Sequence, residues 1–400
     1  MHVRKIVAQI LKPCLQGLHA KRIEAMQRTV GALLTGGVLS LSALALSLHT
    51  SARYKHRLKS VDRLLGNKAL HSSRIGLYSE LARRWLSGIK HVLVVVDWSD
   101  LTADQRWHLL RASVVVEGRS LTLYEEVHPQ KRYGHPTVHR MFLCRMAQVL
   151  PLGCQPIVMT DGGFHASWFK LVVKRGWVFV GRIRGRDMVR QGEGGWMSIK
   201  SLHGMALPAV RDLGGYQYVR SNPINVRLVL SQQPSRGRHQ LNMYGRPRTG
   251  RSSAKNARAA KEPWLLAASP GLDHLSADGI VRLYTQRMRI EQSFRDTKNL
   301  RVGLGLESAR SRTRERWQML LLVALLSSFV QRLIGEAAKA AQLELNFMAT
   351  RRQPRTEISV ITLARRILDA PAQWLNRLNP WTFLPVLRAQ AVNACGFMGS

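Results

Sequence analysis

The run Val92-Leu-Val-Val-Val-Asp-Trp-Ser-Asp100 decides the fold class of this chain. Five consecutive apolar residues, four of them valine, are typical of a strand that is buried on both faces of a sheet. Strands come first along this region and then alternate with helices, which predicts a mixed α/β sheet. The other predicted elements are strands over 111–117 and 120–126 with a turn at Gly118, a helix over 137–150, a strand over 157–160, a helix over 166–174 and a strand over 177–183.

Residues 1 to about 85 have helical character. In the segment 55–67, Leu58, Val61 and Leu65 recur at helical spacing, and Gly66 or Asn67 can end the helix. One apolar face and one basic face suit a helix that lies on DNA, although an ordinary solvated helix has the same pattern. The basic residues of this segment are Lys55, Arg57, Lys59 and Arg63.

The net charge indicates a polyanionic partner. Lys and Arg number 61 against 24 Asp and Glu in 400 residues, a formal charge of +37. Such an excess is typical of nucleic-acid-binding proteins, with ribosomal and membrane-surface proteins as the alternative. The dipeptide Gly-Lys never occurs, which excludes a P-loop, and we expect no nucleotide cofactor. The four cysteines lack zinc-finger spacing and fit a reducing cytosol.

Two apolar runs raise the question of a membrane. Residues 30–48 carry no charge and are long enough to suggest a span, but Gly36-Gly37 interrupts them and serines recur through them. We therefore predict a pair of buried helices there. The second run, 319–330, is too short to span and predicts a core helix. No membrane association is expected.

The segment 184–261 differs in composition from its surroundings. It is rich in Gly, Arg, Ser and Pro, with strand-like pieces such as 226–230. The part from Arg236 to Lys261 has eight Lys or Arg and no acid, which predicts a loop that orders on a phosphate backbone, or plain disorder. Beyond it we predict a strand over 264–268 and a helix over 278–298, opened by Ser276 or Asp278.

Three acidic residues stand out as candidates for chemistry. Asp97 and Asp161 each follow a predicted strand, where α/β sheets open onto a crevice, although a single strand-end Asp is usually a turn residue. On the helix over 278–298, Tyr284, Arg287, Glu291 and Lys298 fall within about 60° of arc. That stripe carries one aromatic residue, two cations and one carboxylate. A solvated helix face is the alternative.

These residues resemble the transposases of bacterial insertion sequences. The matching segments resemble the insertion-sequence-four family with its Y-R-E-K signature, near the ten-type member from a tetracycline-resistance transposon. The resemblance runs from about Lys55 to about Leu333. The segments that carry it are Asp62-Arg-Leu-Leu-Gly-Asn67, Asp97-Trp-Ser-Asp100, Leu110-Arg-Ala-Ser113, Gly118-Arg-Ser-Leu-Thr-Leu-Tyr124, Asp161-Gly-Gly-Phe164, Lys261-Glu-Pro-Trp264 and Tyr284/Arg287/Glu291/Lys298.

The resemblance implies a domain organisation. A helical domain over 1–85 would bind the DNA ends of the element. Residues 86–335 would form a ribonuclease H-like catalytic domain with a β-rich insertion at about 184–261. The region 336–400 would be helical and holds candidate dimer contacts. The family also implies a homodimer in the DNA complex and a bacterial cytoplasmic location at the nucleoid.

The resemblance also implies a chemistry. Asp97, Asp161 and Glu291 would hold two Mg²⁺ ions, which Mn²⁺ can replace, because these cations prefer oxygen ligands and pairs of them serve phosphodiester hydrolysis. Tyr284, Arg287 and Lys298 would bind DNA near the cut. Trp264 would stack on a base flipped out of the duplex, unless it is simply a core aromatic. Trp98 is either a core or a DNA-facing residue.

The function implied is cut-and-paste transposition by a DDE transposase. Its steps would be nicking at the inverted repeats, hairpin formation, hairpin opening and joining to target DNA. Two alternatives remain open from the residues alone. One is a ribonuclease H-like nuclease that cuts without strand transfer, and the other is a non-catalytic DNA-binding relative.

Overall fold

The computed structural model describes residues 3–232, 250, 262–348, 358–370, 374–375 and 378–396. The chain divides into two units. The first combines residues 1–155 with 289–394, and the second comprises residues 156–288 together with the last six residues. The second unit is therefore inserted into the sequence of the first.

The N-terminal region is helical, as predicted. The apolar run over 30–48 forms the end of one helix and a second short helix, and the chain turns at Thr35 to Ser40 between them. The turn follows the predicted interruption, where Gly36 adopts a positive φ of 92° that favours glycine. The helices are α1 (Val3–Leu11), α2 (Ala20–Leu34), α3 (Leu41–Leu46), α4 (Tyr54–Leu65) and α5 (Lys68–Leu86).

Three antiparallel strands form the sheet of the first unit, in the order β3-β2-β1. All five residues of the apolar run Val92–Val96 are fully buried, as predicted. The strands are longer than predicted, and Asp97 lies inside the first strand rather than after it, because the neighbouring strand continues to pair as far as Asp100. The elements are β1 (His91–Asp100), β2 (Trp107–Val116), β3 (Arg119–Pro129) and helix α6 (Pro136–Val149).

The described residues of the second unit form a mixed sheet of seven strands in the order β4-β5-β10-β9-β8-β6-β7. Among these strands, β4 and β5 are parallel and joined by a helix, and the other pairs are antiparallel. The predicted β-rich segment contributes four of these strands. The elements are β4 (Gln155–Thr160), α7 (Ala166–Val173), β5 (Val178–Arg182), β6 (Met188–Arg190), β7 (Met197–Ser198), α8 (Ile199–His203), β8 (Arg211–Tyr218), β9 (Ile224–Ser231), β10 (Trp264–Ala268) and α9 (Ala277–Thr285).

The single helix predicted over 278–298 is wrong in its middle. Helix α9 begins with the Ser276 side chain accepting a hydrogen bond from the Gly279 N–H, and it ends at Thr285. A 3₁₀ turn over Gln286–Met288 follows, and α10 (Arg289–Lys298) then begins in the first unit. The tighter 3₁₀ turn changes the helical phase, so the stripe from Tyr284 to Lys298 does not lie on one continuous α-helix.

The C-terminal part of the first unit is helical. It contains α11 (Arg314–Ala340), α12 (Val360–Asp369) and α13 (Leu384–Ala394). Helix α11 is long and apolar enough to cross a membrane, but 94% of its apolar window is buried inside the protein, as in an ordinary core helix. The core helix predicted over 319–330 is thus confirmed. The loop predicted from Arg236 to Lys261 lies outside the described residues except for Gly250.

Candidate functional site

The strand register puts Asp97 on the side of the first sheet that packs against α10. Asp97 pairs with Arg111 on β2, and Arg111 pairs with Glu125 on β3. Side chains of directly opposed residues share one face of a sheet. Helix α10 packs against β1 and β3, and Arg111 contacts that helix directly. Asp97 and the helix that carries Glu291 therefore lie on the same side of the sheet.

Arg111 fastens α10 to the sheet. Its guanidinium is 1% exposed and donates from Nε to Glu125 Oε2 at 2.7 Å. Its Nη1 donates to Ser293 O at 3.2 Å, to Ser293 Oγ at 3.0 Å and to Thr297 Oγ1 at 3.1 Å. A buried cation with several hydrogen bonds to one helix fixes that helix along its axis. The axial position of Glu291, two residues before Ser293, is fixed with it.

Lys298, at the other end of α10, reaches the end of β1. Its Nζ donates to Ser99 Oγ at 2.5 Å and to the Asp100 carbonyl oxygen. Burial, followed by the positive charge of Arg111, lowers the pKa of Lys298 from 10.5 to about 8, against the opposing effects of Asp100 and Asp97. An ammonium group has three donors, so one remains for a ligand such as a phosphate oxygen.

Asp161 follows β4 in the second unit, as predicted. Its Oδ1 accepts a hydrogen bond from the Gly163 N–H at 2.9 Å. The Arg184 side chain lies so close to Gly162 that a Cβ there would meet Arg184 Cδ at 2.6 Å. Arg184 also pairs with Glu262 at 3.0 Å. A cation that the sequence does not single out therefore lies beside the loop after Asp161.

Three of the predicted DNA-binding residues are neighbours in the second unit. The rings of Trp264 and Tyr284 meet edge to face, with centroids 5.0 Å apart. The Arg287 guanidinium lies 6.0 Å from the centroid of the Tyr284 ring. Tyr284 is only 3% exposed, whereas Trp264 at the start of β10 is partly exposed. Trp264 and Arg287 are thus more accessible to solvent than Tyr284.

The four basic residues predicted to bind DNA lie on α4 as expected, with Val61, Leu64 and Leu65 buried. Lys55, Lys59 and Arg63 are exposed. Arg57 differs, because its Nη1 donates to the Leu46 carbonyl oxygen at 3.1 Å and to that of Leu48 at 3.5 Å. Arg57 therefore connects α4 to the C-terminal end of α3. The other three residues form the exposed basic face.

The three candidate metal ligands are divided between the two units of the chain. Within the described ranges, no group of three or more His, Cys, Asp and Glu side chains is arranged to hold a metal ion. Asp97 and Glu291 share the first unit and are partly exposed, and Asp161 belongs to the second. As oxygen donors in solvent contact, the three carboxylates have the chemistry that hard divalent cations prefer.

Two further polar groups accompany these residues without an obvious signal in the sequence. In the first unit, Arg111 lies between apolar residues of β2 and is the one clue in the sequence to its buried pair with Glu125. In the second, His165 Nδ1 lies 3.9 Å from Asp187 Oδ2. The nearby Asp187 carboxylate raises the pKa of His165, and the charge of Asp161 acts in the same direction.

A second polar cluster occupies the opposite face of the first sheet. Trp98 packs its indole against Tyr133, His128 and His139, and its Nε1 donates to His139 Nε2 at 3.2 Å. Nearby, buried Glu126 accepts hydrogen bonds from His128 at 2.8 Å and from Arg145 at 2.7 Å. Trp98 is half-buried, so it is part of a packed aromatic group with an accessible edge.

The Glu126 cluster gives a stability prediction. Burial acts to raise the pKa of Glu126, but His128 and Arg145 outweigh it and lower the pKa to about 2. The ordinary value is 4.5, so this stabilisation is present above pH 4.5 and is lost as the pH falls toward 2. The loss should be about 2 kcal/mol by pH 3.

Urea unfolding of the wild type and of Glu126→Gln from pH 7 to pH 3 measures this effect. The wild type should be the more stable protein at pH 7. The difference in the free energy of unfolding between the two proteins should become smaller as the pH falls. Parallel stability curves for the two proteins would contradict the assignment.

Comparison with known protein families gives a match over the central part of the chain. The family model described as "Transposase DDE domain" matches residues 88–329, more than half of the chain. The matched range includes β1 with Asp97, the loop after β4 with Asp161 and helix α10 with Glu291 and Lys298. No curated protein matches the chain.

Proposed function

Because this chain belongs to the DDE transposase family, we propose that it catalyses cut-and-paste transposition of a bacterial insertion sequence. The family implies metal-dependent nuclease and transposase activity and binding to transposon-end DNA. The proposed partners are the inverted repeats of the element and a target DNA, held by a homodimer in the bacterial nucleoid. The mixed α/β architecture is consistent with a ribonuclease H-like catalytic core.

The observation that supports this function best is the fixing of α10 to the sheet that carries Asp97. Arg111 bonds to Ser293 and Thr297, and Lys298 bonds to the end of β1. Together these bonds hold α10 at several points along one face. Catalysis requires groups held in place before the substrate arrives. A carboxylate and a cation on a rigid helix, on the same side of the sheet as a second carboxylate, are consistent with that requirement.

We propose that Asp97, Asp161 and Glu291 hold two Mg²⁺ ions, which Mn²⁺ can replace. The ions would supply stabilisation of the entering and leaving oxygens of the phosphodiester. Lys298 has a free donor for a phosphate oxygen, and Arg287 offers a guanidinium. The three carboxylates are separated in sequence, as expected when several elements each contribute one group to a site.

The hairpin step rests on resemblance and on one contact. Within the Y-R-E-K group that the chain resembles, a tryptophan stacks on a base that leaves the duplex. Trp264 is partly exposed and braced by Tyr284, so its free face is available for stacking. We propose nicking, hairpin formation on the opposite strand, hairpin opening and joining to target DNA as the sequence of steps.

Incubation of the purified protein with an element-end fragment and Mg²⁺ tests the proposal. The expected products are a nicked end, then a hairpin, then joined target DNA. A ribonuclease H-like nuclease would cut without joining, and a non-catalytic relative would bind without cutting. Either result would overturn the cut-and-paste proposal.

Lys298 gives a prediction about pH. With a pKa of about 8, its ammonium is charged at pH 7 and mostly neutral at pH 9. If it contacts a phosphate, end-DNA affinity measured in EDTA should fall about 10-fold over this range, about 1.4 kcal/mol. Lys298→Arg should remove that dependence, because arginine stays charged. Equal pH dependence in both proteins would exclude Lys298 as the contact.

A further inference from the structure

The end of β1 joins two surfaces of the first unit. On the α10 side, Lys298 Nζ bonds to the Asp100 carbonyl oxygen. On the other side, the Asp100 carboxylate lies 3.1 Å from His108 Nδ1. The His108 ring packs against Tyr133, with centroids 4.8 Å apart. The segment around Tyr133 therefore lies next to the end of β1, on the other side of the sheet from Lys298.

Aromatic packing fixes this segment in place. The Tyr133 ring lies 5.0 Å from the Trp98 ring and is nevertheless 49% exposed. Gly134 follows with a φ of 66°, a left-handed turn that glycine adopts without strain. The His135 ring then accepts a hydrogen bond from the Thr137 N–H at the start of α6. The segment is therefore held in place by the packing of Tyr133 against Trp98, and its other side is exposed to solvent.

The outward side of the segment is basic. Lys131, Arg132, His135 and Arg140 are exposed, and with Tyr133 they form what we call the 130–140 patch. In the described parts of the chain, no ion pair joins Lys131, Arg132 or Arg140 to a carboxylate. Glu126 pairs with Arg145, Asp104 pairs with Arg106, and the Asp100 carboxylate faces His108. The patch therefore carries uncompensated positive charge.

The patch consists mainly of cations that can contact phosphates, and the segment 130–140 contains a single amide. Its one amide, Gln130, is bonded through Oε1 to His108 Nε2. Lysine and arginine contacts to phosphates position a duplex without sequence information. Such a surface suits DNA whose sequence varies from one substrate molecule to the next.

We propose that the 130–140 patch binds the backbone of the donor DNA that flanks the element, just beyond the cut. This inference rests on the proposed function. The flank changes with every insertion site, so it must be held without base readout. It is also covalently continuous with the cleaved phosphate, which gives it a high effective concentration at a patch next to the β1 end. The occupant is thus donor flank rather than target DNA.

Binding of the full chain to two duplexes tests the proposal. Both carry the same element end, and only one continues into about 20 base pairs of arbitrary flank. The wild type should bind the flanked duplex more tightly and with a steeper salt dependence. In Lys131→Ala/Arg132→Ala, the salt slope for the flanked duplex should fall by about 2, and affinity at 0.15 M salt by about 10-fold. The duplex without flank should be bound as before.

A charge-matched control is Lys174→Ala/Arg220→Ala, which removes two exposed cations from the second unit. It should retain the wild-type preference for flanked DNA. Equal loss on both duplexes, or no loss on either, would overturn the patch assignment. A defect confined to joining of pre-cut ends to target DNA would assign the patch to target DNA and also overturn it. If the wild type bound neither duplex specifically, the proposed function itself would fail.

Discussion

Replacing Asp97 by asparagine is expected to lower the rate of end cleavage by about three orders of magnitude or more. That loss corresponds to about 4 kcal/mol of transition-state stabilisation. An amide is a poorer ligand than a carboxylate for a hard cation, and it removes one negative charge from the proposed metal site. Asp161→Asn and Glu291→Gln should have effects of similar size. Single-turnover cleavage of an end fragment measures them.

Measuring the affinity of each variant for end DNA distinguishes loss of catalysis from loss of the folded structure. The three variants should bind end DNA within about twofold of the wild type, since the shape of each side chain is kept. Asp104→Asn is a matched control, because Asp104 is exposed in the turn after β1 and pairs with Arg106. It should cleave at the wild-type rate. If Asp97→Asn also did so, the chain would be a non-catalytic relative.

Replacing Arg111 by methionine should destabilise the first unit by about 3–5 kcal/mol. The substitution leaves the Glu125 carboxylate buried, with Tyr78 as its remaining side-chain donor at 3.3 Å. Removing one partner of a buried pair has a cost of this size. Chemical denaturation followed by tryptophan fluorescence measures it. The double variant Arg111→Met/Glu125→Gln should recover part of the loss, because the unpaired charge is gone.

The destabilisation caused by Arg119→Met serves as the comparison for that caused by Arg111→Met. Arg119 also joins β3 to α10, through Asp296 at 2.9 Å, but both side chains are 22% exposed. A partly solvated pair should contribute about 1 kcal/mol or less. A loss at Arg111 no larger than the loss at Arg119 would show that the buried network does not anchor the helix.

The strands of the first sheet could be predicted because their apolar runs and turn residues are local signals. The Gly118 turn even suggests which strands pair. The pairing of Arg111 with Glu125 could not be derived, because an irregularity between Ala112 and Ser113 shifts the register by one residue. Without that shift, Arg111 would face Tyr124. A bulge of one residue therefore decides which residue of β3 is buried beside Arg111.

The break between α9 and α10 also lacks a local signal. The segment Gln286–Met288 contains neither glycine nor proline, so periodicity alone predicts one helix. The two helices belong to different units, and tertiary packing overrides the local preference for a continuous helix. The spacing of the Y-R-E-K residues therefore does not give the geometry of this segment.

Single-turnover cleavage by Asp97→Asn, by Asp161→Asn and by the double variant tests most directly whether these carboxylates serve one chemical step. Groups that act as a unit have non-additive effects, since losing one already removes the function of the other. The predicted result is that the double variant is no slower than the slower single variant. Wild-type cleavage by Asp161→Asn, or rate losses that multiply in the double variant, would contradict a shared metal site.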